Sequence, residues 1–180
     1  MILLAAALAP TAWAVLAYNR LVRLRNQVAT AWADIDVQLI RRHDLVPQLV
    51  STVQAAAQHE QSTLASVTEL RAQALGLSSP TALGEVEARL EQALGRVFAL
   101  REAYPELRAS ENFLLLQKDL VEIENHLQYA RRFYNGAVRE LNDGVQRVPD
   151  AMVARWGGFR EAEFFQARDG ERAAAQVHMP

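Results

Sequence analysis

The side chains with the most chemical potential cluster at Arg41-Arg42-His43-Asp44-Leu45-Val46-Pro47. Guanidinium, imidazole and carboxylate groups this close together could hold an anion or move a proton. Pro47 adds a backbone defect: without an N–H it leaves the His43 carbonyl without its helical partner, at a cost of about 3 kcal/mol. Glu122, Glu124 and Asn125 are the groups farther along the chain that could answer a buried arginine. Other combinations carry less. Asp34 and Asp36 look like a metal pair, but two residues apart on a helix they point about 200° from each other. Glu122 and His126, at i and i+4, read as an ordinary surface pair. A carboxylate-bridged di-metal bundle needs Glu-x-x-His, whereas Ile40, Ala56, Ile123 and Ala175 stand three residues before the histidines at 43, 59, 126 and 178. The chain has no phosphate-binding Gly-x-x-x-x-Gly-Lys loop, no Gly-x-Ser-x-Gly elbow and no His-Glu-x-x-His. With no cysteine, it also lacks thiol catalysis, disulfides and Cys-type metal sites. We therefore expect no enzyme activity, no cofactor and no metal.

The elements that must position these groups are helices. Glycine is absent before Gly76, and Pro80, Pro105 and Pro149 mark the later boundaries. Leu21, Leu24, Val28, Trp32, Ile35 and Leu39 follow at helical steps, and Val46, Leu49, Val53, Leu64, Val67 and Leu70 resume the stripe. Position 42 lies on that seam. A second segment runs through Leu83, Val86, Leu90, Leu94 and Val97, with Ser79 as cap and Pro80 as first helical residue. The third runs from Phe113 to Val148, starting at Pro105 or later at Ser110. No stretch alternates with the period of a strand. Short connections near Gly76–Pro80 and Ala103–Pro105 predict antiparallel neighbours in an up-and-down, four-helix bundle. The aromatics of Trp156-Gly157-Gly158-Phe159 and Phe164-Phe165 are expected to fold back over an open end of it.

The first side-chain charge is Arg20, after MILLAAALAPTAWAVLAY. As a helix those residues reach about 27 Å, close to the roughly 30 Å hydrocarbon core of a bilayer. Trp13 and Tyr18 are interfacial types, and Arg20, Arg23 and Arg25 follow directly. Positive charge on that side alone places the N-terminus outside and the rest of the chain in the cytoplasm. A cleaved signal peptide and a buried core helix remain alternatives. The reading divides the chain into a membrane-spanning anchor at 1–19, a bundle at 20–165 and a flexible tail at 166–180. A net charge of −2 gives no field for nucleic acid. Arg131-Arg132 among Tyr129, Phe133 and Tyr134 reads as packing and solvated face.

YNRLVRLRNQV and AWADIDVQLIRRHDLVPQLV, then AYPELRASENFLLLQKDL, IENHLQYARRFYNGAV and WGGFREAEFF, together resemble the LemA family. The likeness runs from Tyr18 to Phe165 in the family's order, with Ile123 where the family often has threonine. It implies an N-terminally anchored membrane protein with a cytoplasmic helical bundle, and it supplies no catalytic residue. The function expected is a membrane-anchored scaffold whose bundle binds a protein partner, with a homo-oligomer among the assemblies it allows. An accessory enzyme or ligand-binding protein at the membrane, or an envelope protein released by cleavage, is the competing class. The candidate interaction residues are Arg41, Arg42, His43, Asp44, Pro47, Glu124 and Asn125. Arg42 either pairs with Glu124 to fix helix register or opens a polar notch to a partner or lipid headgroup.

Overall fold

A computed structural model describes the backbone of residues 2–165 and the side chains of residues 10–165. The chain is all-α, built of long helices packed antiparallel. They are α1 (Ile2–Ala56), α2 (Gln61–Leu75), α3 (Pro80–Ala99), a 3-10 turn (Leu100–Glu102), α4 (Pro105–Ala109), α5 (Glu111–Gln146) and α6 (Asp150–Trp156). The expected span at 1–19 lies, in its first half, outside the side chains described, and the expected tail at 166–180 lies outside the described residues altogether. Among the described residues no helix is long and apolar enough to cross a membrane.

The expected boundaries at Ser79 and Ser110 carry their caps. Ser79 accepts from the Ala82 N–H with Pro80 opening α3, and Ser110 accepts from the Phe113 N–H at the start of α5. The five residues Pro105–Ala109 form the separate α4, so the later of the two expected starts is the one used. One boundary had no sequence mark. Between α1 and α2 the chain breaks at 57–60 without glycine or proline, closing on Glu60 N–H to Ala57 O at 3.1 Å. The break lets Leu64, Val67 and Leu70 of α2 join the core that Val46, Leu49 and Val53 of α1 begin. An uninterrupted helix would carry the α2 stripe away from that core.

The chain divides into two compact units by contact: residues up to Ile35 with Ala130–Phe164, and Asp36–Tyr129 with Phe165. In the second, α1 to α5 all contribute to one core, from Val46 and Leu49 through Leu90, Val97 and Leu107 to Phe113 and Leu120. Phe98 meets Phe113 edge-on at 6.4 Å. In the first, Ala17 and Leu21 of α1 pack on Val153 and Ala154 of α6 and on Phe159. Here the seam of α1 takes in Ala31, which is fully buried, while Trp32 is only half-buried and leans on Tyr134 at 5.4 Å.

After α6 the chain runs back along α5 as an extended strap. Asn142 clamps it by accepting from the Ala162 N–H at 2.8 Å and donating to the Ala162 carbonyl at 3.0 Å. The Tyr134 hydroxyl donates to the Glu163 carbonyl at 2.9 Å. Of the aromatics expected to fold back, Phe159 and Phe165 are buried, but Trp156 stays 86% exposed. The reason is helical phase: α6 turns Asp150, Val153 and Ala154 inward, which leaves Met152 and Trp156 on its outer face.

Candidate functional site

On α1 the buried positions Ile35, Leu39, Val46, Leu49 and Val53 define a seam, and Arg42 occupies the step between Leu39 and Val46. Its side chain is 1% exposed. A guanidinium there must be met by charge and hydrogen bonds, because an uncompensated buried cation costs several kcal/mol. Glu124 of α5 meets it at Nη2, as the sequence suggests. Glu87 of α3, which sequence reasoning missed, meets it at Nη1 at 3.0 Å. The other oxygen of Glu87 lies 2.7 Å from His43 Nε2. Since a carboxylate accepts, Nε2 is the protonated, donating nitrogen of that ring.

Glu87 is wholly buried, the more enclosed of the two carboxylates, whereas the Glu124 side chain keeps 15% of its surface open. Burial alone would raise the Glu87 carboxyl. The hydrogen bond from His43 and the charge of Arg42, with smaller help from the His43 charge and the Arg42 hydrogen bond, outweigh it and hold the group below its ordinary value. A visible mark existed in the sequence. Glu87 stands four residues after Leu83 and three before Leu90, on the same helical face, and all three are buried.

The proline defect is repaired by another residue that sequence reasoning missed. Arg71 of α2 donates through Nε to the His43 carbonyl at 2.7 Å, supplying the hydrogen bond that Pro47 cannot. Helix α1 accordingly continues through Pro47 to Ala56. Arg42, His43 and Glu124 are thus brought together with Glu87, while Arg41, Asp44, Pro47 and Asn125 all lie on exposed surface. The residues expected to flank a membrane sit in the other unit. Trp13 packs beside Ala17 and Leu21, and Tyr18 meets Phe159 edge-on at 5.4 Å. Arg20 reaches Asp150 at 3.5 Å, Arg25 lies 5.3 Å over the Phe159 ring, and Arg23 is exposed.

Among the described residues no group of three or more His, Asp or Glu side chains is placed to hold a metal. Glu122 and His126 lie 3.7 Å apart on open surface. What the network can do is hold α1, α3 and α5 in one register through charge-assisted hydrogen bonds. Its depressed carboxyl gives that role a pH signature. A group that ionises more readily when folded stabilises the native state above its unfolded value, about 4.3 for glutamate, and that contribution fades as pH falls through the lower native value. The thermal midpoint of the native chain is therefore expected to exceed that of Glu87→Gln near neutrality. The gap should narrow as pH drops below about 4. A gap that stays constant or widens on acidification would exclude an ionised, stabilising Glu87.

Fold and site together define a class: an all-α protein of long antiparallel helices tied by a buried ion network. The model of the LemA family matches residues 31–179, and the chain belongs to that family. It is 24% identical over 177 residues to magnetosome protein MamQ 2 of Paramagnetospirillum magneticum, a match covering 84% of this chain and 65% of the relative. The likeness to magnetosome protein MamQ of Magnetospirillum gryphiswaldense is 20% with the same coverage. Protein LemA of Metamycoplasma hominis is 23% identical over 155 residues, covering 86% of this chain and 71% of the relative. The chain thus spans a little under two thirds of the length of the MamQ proteins it matches, 65%.

Proposed function

We propose that this chain is a membrane-anchored scaffold. Residues 1–19 cross the cell membrane once with the N-terminus outside, and an up-and-down four-helix bundle on the cytoplasmic side binds a protein partner without performing catalysis. The observation that carries this reading is a contrast between interior and surface. The polar centre is closed, with Arg42 and Glu87 turned fully inward onto each other. The surface instead offers apolar side chains: Val37 and Ile40, a helical turn apart on α1, and Leu114 and Val121, two turns apart on one face of α5, are all 40–53% exposed. Charge-free residues before Arg20 and the arginines at 20, 23 and 25 support the anchor and its orientation.

The test uses the full-length protein in its own cell, with a photo-crosslinking residue at Val37 or Val121 and a control at exposed Asp119. A defined protein adduct from the apolar positions alone is expected, and it should be lost when Ile40 or Leu114 is changed to aspartate. An adduct with a second copy would make the surface a homo-oligomer interface, and no adduct from either position would overturn the scaffold reading. The anchor is tested separately by intact mass and alkaline carbonate extraction. An uncleaved chain that stays with the membrane pellet is expected. A mature mass lacking the residues up to about Ala14 would show a signal peptide instead.

A further inference from the structure

The outer face of α6 and the exposed flank of α1 beside it have no role in the ion network, and both are apolar. Met152 is 68% and Trp156 86% exposed. On α1, Val15, which lines a groove shared with them, and its neighbour Leu16 are 55% and 69% exposed. Between the two helices lies an open groove of about 820 Å³, lined by Trp13, Val15, Tyr18, Met152 and Trp156 among others. A short helix that turns aspartate, valine and alanine inward and methionine and tryptophan outward is inverted for a water-facing surface. Such a face belongs to an element lying at a membrane interface, where tryptophan is favoured.

We propose that α6 lies in the membrane interface, with Met152 and Trp156 in contact with lipid and the groove beside residues 11–18 filled by lipid chains. The proposal rests on the membrane-anchor reading and extends it. Helix α1 is continuous, so the wall of the groove is the same helix that runs on toward residue 2 through charge-free sequence. Position along the chain gives the depth. Asp150, the first residue of α6, is paired with Arg20, the first charge after the apolar stretch. Trp13 and Tyr18, which line the groove with Trp156, lie on the N-terminal side of Arg20 by up to about 10 Å of helix. That is the roughly 5–10 Å to which interfacial helices sink below the headgroups.

Charge agrees with lipid as the occupant. Segments 20–25 and 147–160 carry arginines at 20, 23, 25, 147, 155 and 160 against a single acid, Asp150, which is already engaged. Glu161 and Glu163 follow on the strap, where Glu161 accepts from the Gln146 amide at 2.9 Å; both keep their charge, so the six arginines of these segments still outnumber the acids there and next to them by two to one. Arg23, Arg155 and Arg160 are all exposed, a cationic rim suited to anionic headgroups. A second copy of this chain would bring the same arginines against themselves.

The chain has no cysteine, so single cysteines report cleanly on separate places. Leu16→Cys reads the anchor, Trp156→Cys and Met152→Cys read α6, and Asp119→Cys serves as an aqueous control; all four positions are exposed. Met152→Cys keeps Trp156 in place. Each full-length variant carries an environment-sensitive fluorophore and is reconstituted into phosphatidylcholine–phosphatidylglycerol vesicles, with or without lipids bearing a nitroxide near the headgroup end of the acyl chain. The labels at 16, 152 and 156 are expected to lose roughly half of their emission to the nitroxide, while that at 119 loses none. Quenching at 16 without quenching at 152 and 156 overturns the proposal and leaves the anchor standing. Quenching at 152 and 156 without 16 supports a lipid-facing α6 and defeats the anchor instead. No quenching at any position overturns both. A blue-shifted but unquenched label at 156 means a protein covers the face, and also overturns the proposal.

Discussion

Glu87→Ala is expected to destabilise the folded chain by roughly 3–5 kcal/mol, because it removes the carboxylate that Arg42 and His43 share and leaves the buried guanidinium with only the partly open Glu124. Arg42→Ala should cost a similar amount, because it leaves a wholly buried carboxylate with His43 as its remaining partner on this network. Glu124→Ala should cost distinctly less. Its side chain keeps 15% of its surface open, and its loss leaves Arg42 still bonded to Glu87. The graded series separates a network centred on Glu87 from a simple Arg42–Glu124 pair. The Glu87→Ala and Arg42→Ala double variant should cost much less than the sum of the single changes, since each removes the charge that the other variant strands. Denaturant melts of the four proteins measure the cycle. Additivity within about 0.5 kcal/mol would sink the register role. If Arg42→Ala left the melt unchanged but weakened crosslinking to a partner, Arg42 would be a binding group.

That series also marks where sequence reasoning ran out. The stripe on α1 placed Arg42 on a buried seam, and a carboxylate of the last long helix was the natural answer, so Arg42 and Glu124 were legible. Glu87 was legible in principle, flanked at helical spacing by Leu83 and Leu90, but the stripe was read through its neighbour Val86, which is only half-buried. Arg71 was not legible. Pro47 announces an orphaned His43 carbonyl, but the donor comes from α2, which reaches it only because the chain reverses at 57–60. No glycine or proline marks that reversal; burial of Leu64, Val67 and Leu70 requires it, and such long-range packing is invisible to local propensity. The same limit applied to Trp32, an aromatic at helical spacing whose seam position belongs to the smaller Ala31.

The paired glycines at the end of α6 carry the other large expected effect, each for a different physical reason. Gly157 has an ordinary right-handed backbone, φ −79°, that any residue adopts. Space is its constraint: a Cβ there would stand 2.7 Å from Phe159 Cε2 and 3.1 Å from Tyr18 Cε2. Those are ring atoms of a packed pair, and Phe159 is also the ring beneath Arg25, so nothing nearby can yield cheaply. Gly157→Ala is expected to cost roughly 1–3 kcal/mol by overpacking. Gly158 is the reverse case, with nothing within 4 Å of a Cβ but a φ of +70°. Gly158→Ala should cost about 1–2 kcal/mol from backbone strain alone. Asparagine tells the two apart. It tolerates the left-handed conformation, so Gly158→Asn should recover much of the loss, whereas Gly157→Asn should be worse than alanine because it adds volume to a closed contact. Denaturant midpoints of the four variants decide the matter. A neutral Gly157→Ala would mean that Phe159 is free to move, and the strap it leads would then be held by the Asn142 clamp and the Tyr134 hydroxyl rather than by aromatic packing on α1.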